Sequence, residues 1–168
     1  STHAVEDPVL SSWFETYRPL LLIVAFIFGS SLLVQLPLEG ISANETMRYF
    51  MAGFFLVFSF FKLLDLSAFA SAYANYDLIA KRWRGWGFVY PFAELTLGAC
   101  YLSNVGGHSL HVVTFLLMSF SAIGVIQSVL NKTKIRCACL GTVFQLPMST
   151  ITIVEDLGMA LMALLMLL

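Results

Sequence analysis

The chain has 168 residues, 59% of them hydrophobic and 11% charged, with nine basic residues against ten acidic ones. An ordinary soluble domain carries about a quarter charged residues, so this composition points to a membrane protein. The near-neutral balance excludes a basic nucleic-acid-binding surface, and no hydrolytic triad, phosphate loop or dinucleotide fingerprint occurs.

A hydrocarbon core about 30 Å thick needs roughly 20 apolar helical residues to cross it. Five stretches come near that length: Pro19–Leu38, Met47–Leu66, Trp86–Leu102, Leu110–Leu130 and Thr150–Leu168. The fold class read from them is an all-α integral membrane protein with five transmembrane helices. The leading helix should be retained, because it lies too far into the chain for a signal peptide and lacks a small-residue cleavage site. Ser1 in place of Met, and the apolar end at Leu167-Leu168, lead us to expect trimmed segments at both ends.

Between the second and third spans, Leu66, Phe69, Tyr73, Tyr76 and Ala80 recur at helical spacing. This pattern predicts an amphipathic helix in the membrane interface, ended by Gly85 and Gly87, with Lys81, Arg82 and Arg84 reaching toward headgroups. The outer loops, Glu39–Thr46 and Ser103–Ser109, are too short to form an external domain.

Strict alternation puts Arg18, Lys62, Lys81, Arg82, Arg84, Lys132, Lys134 and Arg136 on one side and only Arg48 on the other, eight against one. Basic loops stay cytosolic. The expected location is therefore a bacterial inner membrane, crossed several times, with the N-terminus in the cytosol. Trp13, Tyr17, Trp83 and Trp86 would flank the inner helix ends, Tyr49 and Tyr101 the outer ones.

Charged side chains at membrane depth are costly and should face the bundle interior and pair. Glu94 lies eight residues into the third span, roughly 12 Å at helical rise. Lys62 and Asp65 close the second span, and Glu155 and Asp156 lie about two turns into the fifth. These five residues are expected to form a polar pocket in the inner half of the bundle, with Lys62 paired to Glu94 or Glu155. The pocket would serve as a register-fixing ion-pair network or accept a proton or cation. Cys100, the Met159, Met162 and Met166 stripe, His108 with His111, and the small pair Gly124 and Ser128 read more simply as packing or as incomplete ligand sets.

The sharpest chemical feature is Cys137-Ala138-Cys139 in the basic hinge before the last span. Two thiolates one residue apart can converge on a soft ion such as Cu(I) or Hg(II). Arg136 and Lys134 favour the thiolate form, which is also the form that exchanges disulfides. A disulfide across so short a ring would be strained and oxidising. Cytosolic thiols are normally kept reduced, which favours metal binding.

Residues 47–168 resemble the MauE branch of the DoxX-like membrane proteins. The resemblance rests on Phe61-Lys62-Leu63-Leu64-Asp65-Leu66 with Phe69, on Pro91-Phe92-Ala93-Glu94-Leu95-Thr96-Leu97-Gly98, and on Cys137-Ala138-Cys139-Leu140-Gly141. Ala138 and Leu140 depart from the family's usual Cys-Gly-Cys-Phe-Gly. The resemblance implies a four-helix bundle over 47–168, preceded by an N-terminal segment and leading helix over 1–46. It also implies thiol redox chemistry, MauE itself being implicated in maturing a disulfide-rich periplasmic enzyme subunit. Relatives with an extra leading helix are often joined to a heavy-metal-associated domain.

A helper for a periplasmic client needs its thiols outside, whereas the basic residues place Cys137 and Cys139 inside. The leading expectation is thus soft-metal handling by Cys137 and Cys139 at a cytosolic mouth, with Cu(I) or Hg(II) as the ion and no enzymatic role. The alternatives are a MauE-like redox helper for disulfide formation and a structural subunit of a larger membrane complex. Expected partners are the lipid bilayer and a heavy-metal-associated or thioredoxin-like protein, with no nucleic acid.

Overall fold

The computed structural model describes residues 8–75, 77–130 and 148–168. Among them are six α-helices: α1 (Pro8–Leu33), α2 (Ala43–Leu64), α3 (Leu66–Tyr73), α4 (Gly85–Ser103), α5 (Gly107–Leu130) and α6 (Met148–Leu167). The protein is all-α in these residues. Three helical stretches, Trp13–Leu33, Ala43–Leu64 and Gly107–Gln127, are long and apolar enough to cross a membrane. Outward-facing Phe26, Leu33, Leu116 and Leu161 are each more than half exposed, as suits a bilayer environment.

The leading helix differs from the Pro19–Leu38 span expected for it. It starts at Pro8, passes through Pro19, and ends at Leu33. Pro37 rules out the expected end at Leu38, because the residue before a proline, Leu36, is driven out of the helical region. Gln35 then ties the turn to α2: its Nε2 donates to Ser31 O (2.7 Å) and Thr46 Oγ1 (2.8 Å), and its Oε1 accepts from Ser42 N (3.0 Å). Ser42 N-caps α2 by accepting from Glu45 N at 3.1 Å.

The expected interfacial helix is also shorter and less lipid-facing. α3 stops at Tyr73, and turns follow, held where Asp77 Oδ2 accepts from Ile79 N and Ala80 N at 3.0 Å each. Phe69, Tyr73 and Ala80 are buried inside the protein rather than against headgroups. The helical period was read correctly as an apolar face, but that face covers the polar residues described below.

α2 packs along α4 and α5 along α6; α1 lies on α2, α3 on α4, and α2 also touches α6. A Cβ on Gly87 would meet Ala70 Cα at 3.0 Å, so α3 and α4 approach through a position open only to glycine. At the start of α2, Arg48 pairs with Glu45 (2.7 Å) and donates to Tyr101 O (2.7 Å) and Leu102 O (3.2 Å). It thereby reaches Leu102 O in the last turn of α4 and adds a second donor to Tyr101 O, which also accepts from Asn104 N.

Candidate functional site

Four of the five residues expected in the polar pocket meet at one place. Lys62 comes from the last turn of α2, Glu94 from the middle of α4, and Glu155 and Asp156 from the second and third turns of α6. All four are at most 4% exposed. Lys62 Nζ donates to Glu94 Oε2 and, at 3.3 Å, to Glu155 Oε1. Lys62 thus bridges both carboxylates that the sequence had offered as alternatives, and so joins three helices. Asp65 is the exception. It is exposed and N-caps α3, accepting from Ala68 N at 3.1 Å. Three residues beyond Lys62 it belongs to the chain reversal, and a carboxylate there is held by a backbone amide instead of the ammonium.

Aromatic residues close the site. Phe69 and Tyr90 present their rings 5.6 and 5.1 Å from Lys62 Nζ, within cation–π range. Tyr73 stacks on Tyr90 with centroids 4.7 Å apart and on Phe69 at 5.0 Å. Lys62, Phe69, Tyr73, Tyr90, Ser121, Thr152, Glu155 and Asp156 enclose a cavity with about 10 Å³ open to the centre of a water-sized sphere, near the minimum that holds one water. Four buried oxygens, Glu94 Oε1, Thr152 Oγ1, Glu155 Oε2 and Asp156 Oδ2, have no hydrogen-bond partner among the described residues. Buried polar atoms are nearly always satisfied, and the adjoining cavity has room for about one water beside them.

Tyr73, Tyr90, Ser121 and Thr152 escaped the sequence reading. A signal was present: Tyr90 and Thr152 each precede an acid, Glu94 and Asp156, by four residues, one helical turn. Ser121 falls on the same helix face as Thr114, seven residues away.

Among the described residues no group of three or more His, Cys, Asp or Glu is disposed to hold a metal ion. Two of the clustered carboxylates, Glu94 and Glu155, are instead bonded to Lys62. His111 is engaged by the Tyr101 hydroxyl at 3.0 Å, His108 is exposed, and Met159 is buried in the core with Met162 and Met166 packed beside it. Cys100 is a free thiol near the C-terminal end of α4. Cys137 and Cys139 lie outside the described residues.

Comparison with known proteins places these residues in a family. Neither a curated protein nor a solved structure matches the chain. The family described as methylamine utilisation protein MauE matches residues 41–168. The matched segment runs from the Ser42 cap of α2 through the whole charged cluster to the end of α6. With most of its length matched, the chain belongs to the MauE family of membrane proteins.

Proposed function

We propose that this protein is a thiol-redox membrane protein that assists disulfide formation in a partner, with Cys137 and Cys139 as the exchanging pair and the Lys62–Glu94–Glu155–Asp156 cluster as its proton store. The observation that carries the reading is the cluster itself: one ammonium faces three buried carboxylates, with four oxygens unpartnered among the described residues. Fully ionised, that set sums to −2 (+1 − 3), a charge that a water-poor interior does not tolerate. Neutrality requires about two protons, the number that accompanies one dithiol–disulfide conversion. Thr152, Glu155 and Asp156 sit in the first turns of α6, the helix into which the cysteine hinge runs.

The exchange balances within the pair and its partner. A partner thiolate attacks the Cys137–Cys139 disulfide, forming a mixed disulfide and releasing one cysteine thiolate. The second partner thiolate attacks the mixed disulfide, closing the partner's disulfide and releasing the other cysteine. Two electrons pass to the pair, and the two protons lost by the partner are taken up there. The strain of so short a ring favours this direction. A thioredoxin-like or heavy-metal-associated protein, with vicinal cysteines of its own, is the class of partner that fits. Mixing the oxidised protein with such a reduced partner should yield one partner disulfide per chain, counted by thiol alkylation and mass spectrometry. Absence of transfer while the pair remains oxidised would dismiss the reading.

We further propose that α1, α2, α4, α5 and α6 all cross the inner membrane, with the N-terminus cytosolic. Lys62 is a cluster member and not a loop charge, leaving seven basic residues on the inner side (8 − 1) against Arg48, itself paired with Glu45. That asymmetry favours a cytosolic face for the thiol pair, where its disulfide would be transient and catalytic and its partner cytosolic. A membrane-impermeant maleimide should therefore label Cys137 and Cys139 only after permeabilisation. Labelling of intact cells would reverse the orientation and make the partner periplasmic.

Soft-metal handling is the second reading, favoured by the Cys-x-Cys spacing beside Lys134 and Arg136, which suits a two-coordinate Cu(I) or Hg(II) ion.

A further inference from the structure

Between α5 and the connector that joins α3 to α4 runs a groove of about 350 Å³, within the range of small-ligand sites. The connector side contributes Ile79 and Trp86, and α5 contributes Val113, Leu116 and Phe120. Tyr73 and Ser121, only 2% and 3% exposed, also line it but hydrogen-bond each other at 3.3 Å. Asp77 lines it too, with Oδ2 held by Ile79 N and Ala80 N. An occupant therefore meets an almost wholly apolar wall. The α5 residues fall inside the Gly107–Gln127 stretch, which is apolar enough to cross a membrane, so the groove lies at hydrocarbon depth. Water finds too few polar partners on such a wall, and the bilayer fills it with an acyl chain.

The chain beside this groove selects the headgroup. Between Ile79 and Trp86, which both line the groove, the sequence reads Lys81-Arg82-Trp83-Arg84, and all four side chains are exposed. Turns closed by Lys81 N to Asp77 O, Trp83 N to Ile79 O and Trp86 N to Trp83 O fix this run in place. Among the described residues no carboxylate forms an ion pair with its three cations. Three unpaired charges avoid hydrocarbon, so the run marks the headgroup level. On α5, Val113 to Phe120 covers about 11 Å of rise, against about 15 Å for one leaflet of the hydrocarbon core. We propose that groove and basic run together form a binding site for one anionic phospholipid. Its acyl chain lies along α5, its phosphate rests on Lys81, Arg82 and Arg84, and Trp83 anchors the interface. A zwitterionic lipid offers the same chain, but its own cation offsets the attraction of the run. The bound lipid holds the connector on α5 beside the Tyr73–Ser121 hydrogen bond.

The test uses the purified full chain in a mild detergent, read by native mass spectrometry. Palmitoyl-oleoyl phosphatidylglycerol is the probe, and the matching phosphatidylcholine is its neutral counterpart. One phosphatidylglycerol per chain should be retained, roughly 10- to 100-fold more tightly than phosphatidylcholine, as two or three basic groups worth about 5-fold each provide. Arg82→Gln alone should cost about 5-fold, and Lys81→Gln, Arg82→Gln and Arg84→Gln together should erase the preference. Lys81→Arg, which keeps the charge, should bind like the parent. Leu116→Trp, at an exposed position that lines the groove, should displace the lipid with every charge in place. Val112→Trp, exposed on the same helix but not lining the groove, should leave binding intact. Glycerol 3-phosphate, which has the phosphate without the chains, should not compete. Equal retention of the two lipids overturns the assignment, and so does parental binding by the triple variant or by Leu116→Trp. Displacement by glycerol 3-phosphate would make the run a site for free phosphate and sink the lipid assignment as well.

Discussion

Lys62→Met should destabilise the bundle by about 3–5 kcal/mol, the usual consequence of removing one partner from a buried ion pair. The ammonium joins Glu94 on α4 to Glu155 on α6, so its loss strands three carboxylates in the interior. Glu94→Gln should be milder, about 1.5–3 kcal/mol, because Lys62 keeps Glu155 at 3.3 Å. The double variant Lys62→Met with Glu94→Gln should recover only part of the loss, since Glu155 and Asp156 remain unpaired. Adding Glu155→Gln should recover more. Thermal unfolding in detergent orders the four proteins. A Lys62→Met protein within about 1 kcal/mol of the parent would show that the cluster does not hold the helices together.

The same series separates architecture from chemistry. If the carboxylates serve only to neutralise Lys62, the triple variant should fold and exchange thiols at the parental rate. If they store protons for the pair, it should fold well and exchange slowly, with the deficit greatest at high pH, where protons are scarce. Recovery of stability together with full exchange would reduce the cluster to a register device.

The charged residues were legible in the sequence because a membrane interior leaves them so few options. Lys62, Glu94, Glu155 and Asp156 had to find one another, and periodicity placed them at one depth. Asp65 was misassigned because depth alone does not say where a helix turns; the Asp65 cap of α3 is a backbone event with no hydropathy signature. The aromatic face of α3 was visible as a period, but its direction was not. An amphipathic stretch between two spans covers lipid or protein equally well, and only the close approach at Gly87 settles it. Tyr73, Ser121 and Thr152 were missed for a related reason. Hydroxyls are common in membrane helices, and they become informative only when packing puts them beside an acid.

Replacing both Cys137 and Cys139 with Ser should abolish thiol exchange outright while leaving the described bundle folded, since Lys62 ties α2 to α4 and α6 through Glu94 and Glu155. The same change tests the metal reading, because both chemistries use the same two sulfurs. A titration of the parent against a glutathione redox series should show a single two-electron transition, at a potential above the roughly −300 mV typical of structural disulfides. Either single Ser variant, mixed with the oxidised partner, should stall as a mixed disulfide, since the remaining thiolate opens the partner's disulfide and the second thiol of the pair, which would resolve the intermediate, is gone. Titration of the reduced protein with Cu(I) against a chelator should give about one ion per chain, lost in the Ser-Ser variant, because two soft thiolates suit that ion. Zn(II) should bind more weakly, lacking the two further ligands a tetrahedral site needs. Metal binding alone therefore does not decide between the readings; exchange does. If the pair binds Cu(I) tightly yet gives no redox transition and no trapped partner, the thiols carry an ion instead of electrons. The protons of the buried cluster would then accompany metal transfer, and the family's chemistry would have to be sought in another part of the chain.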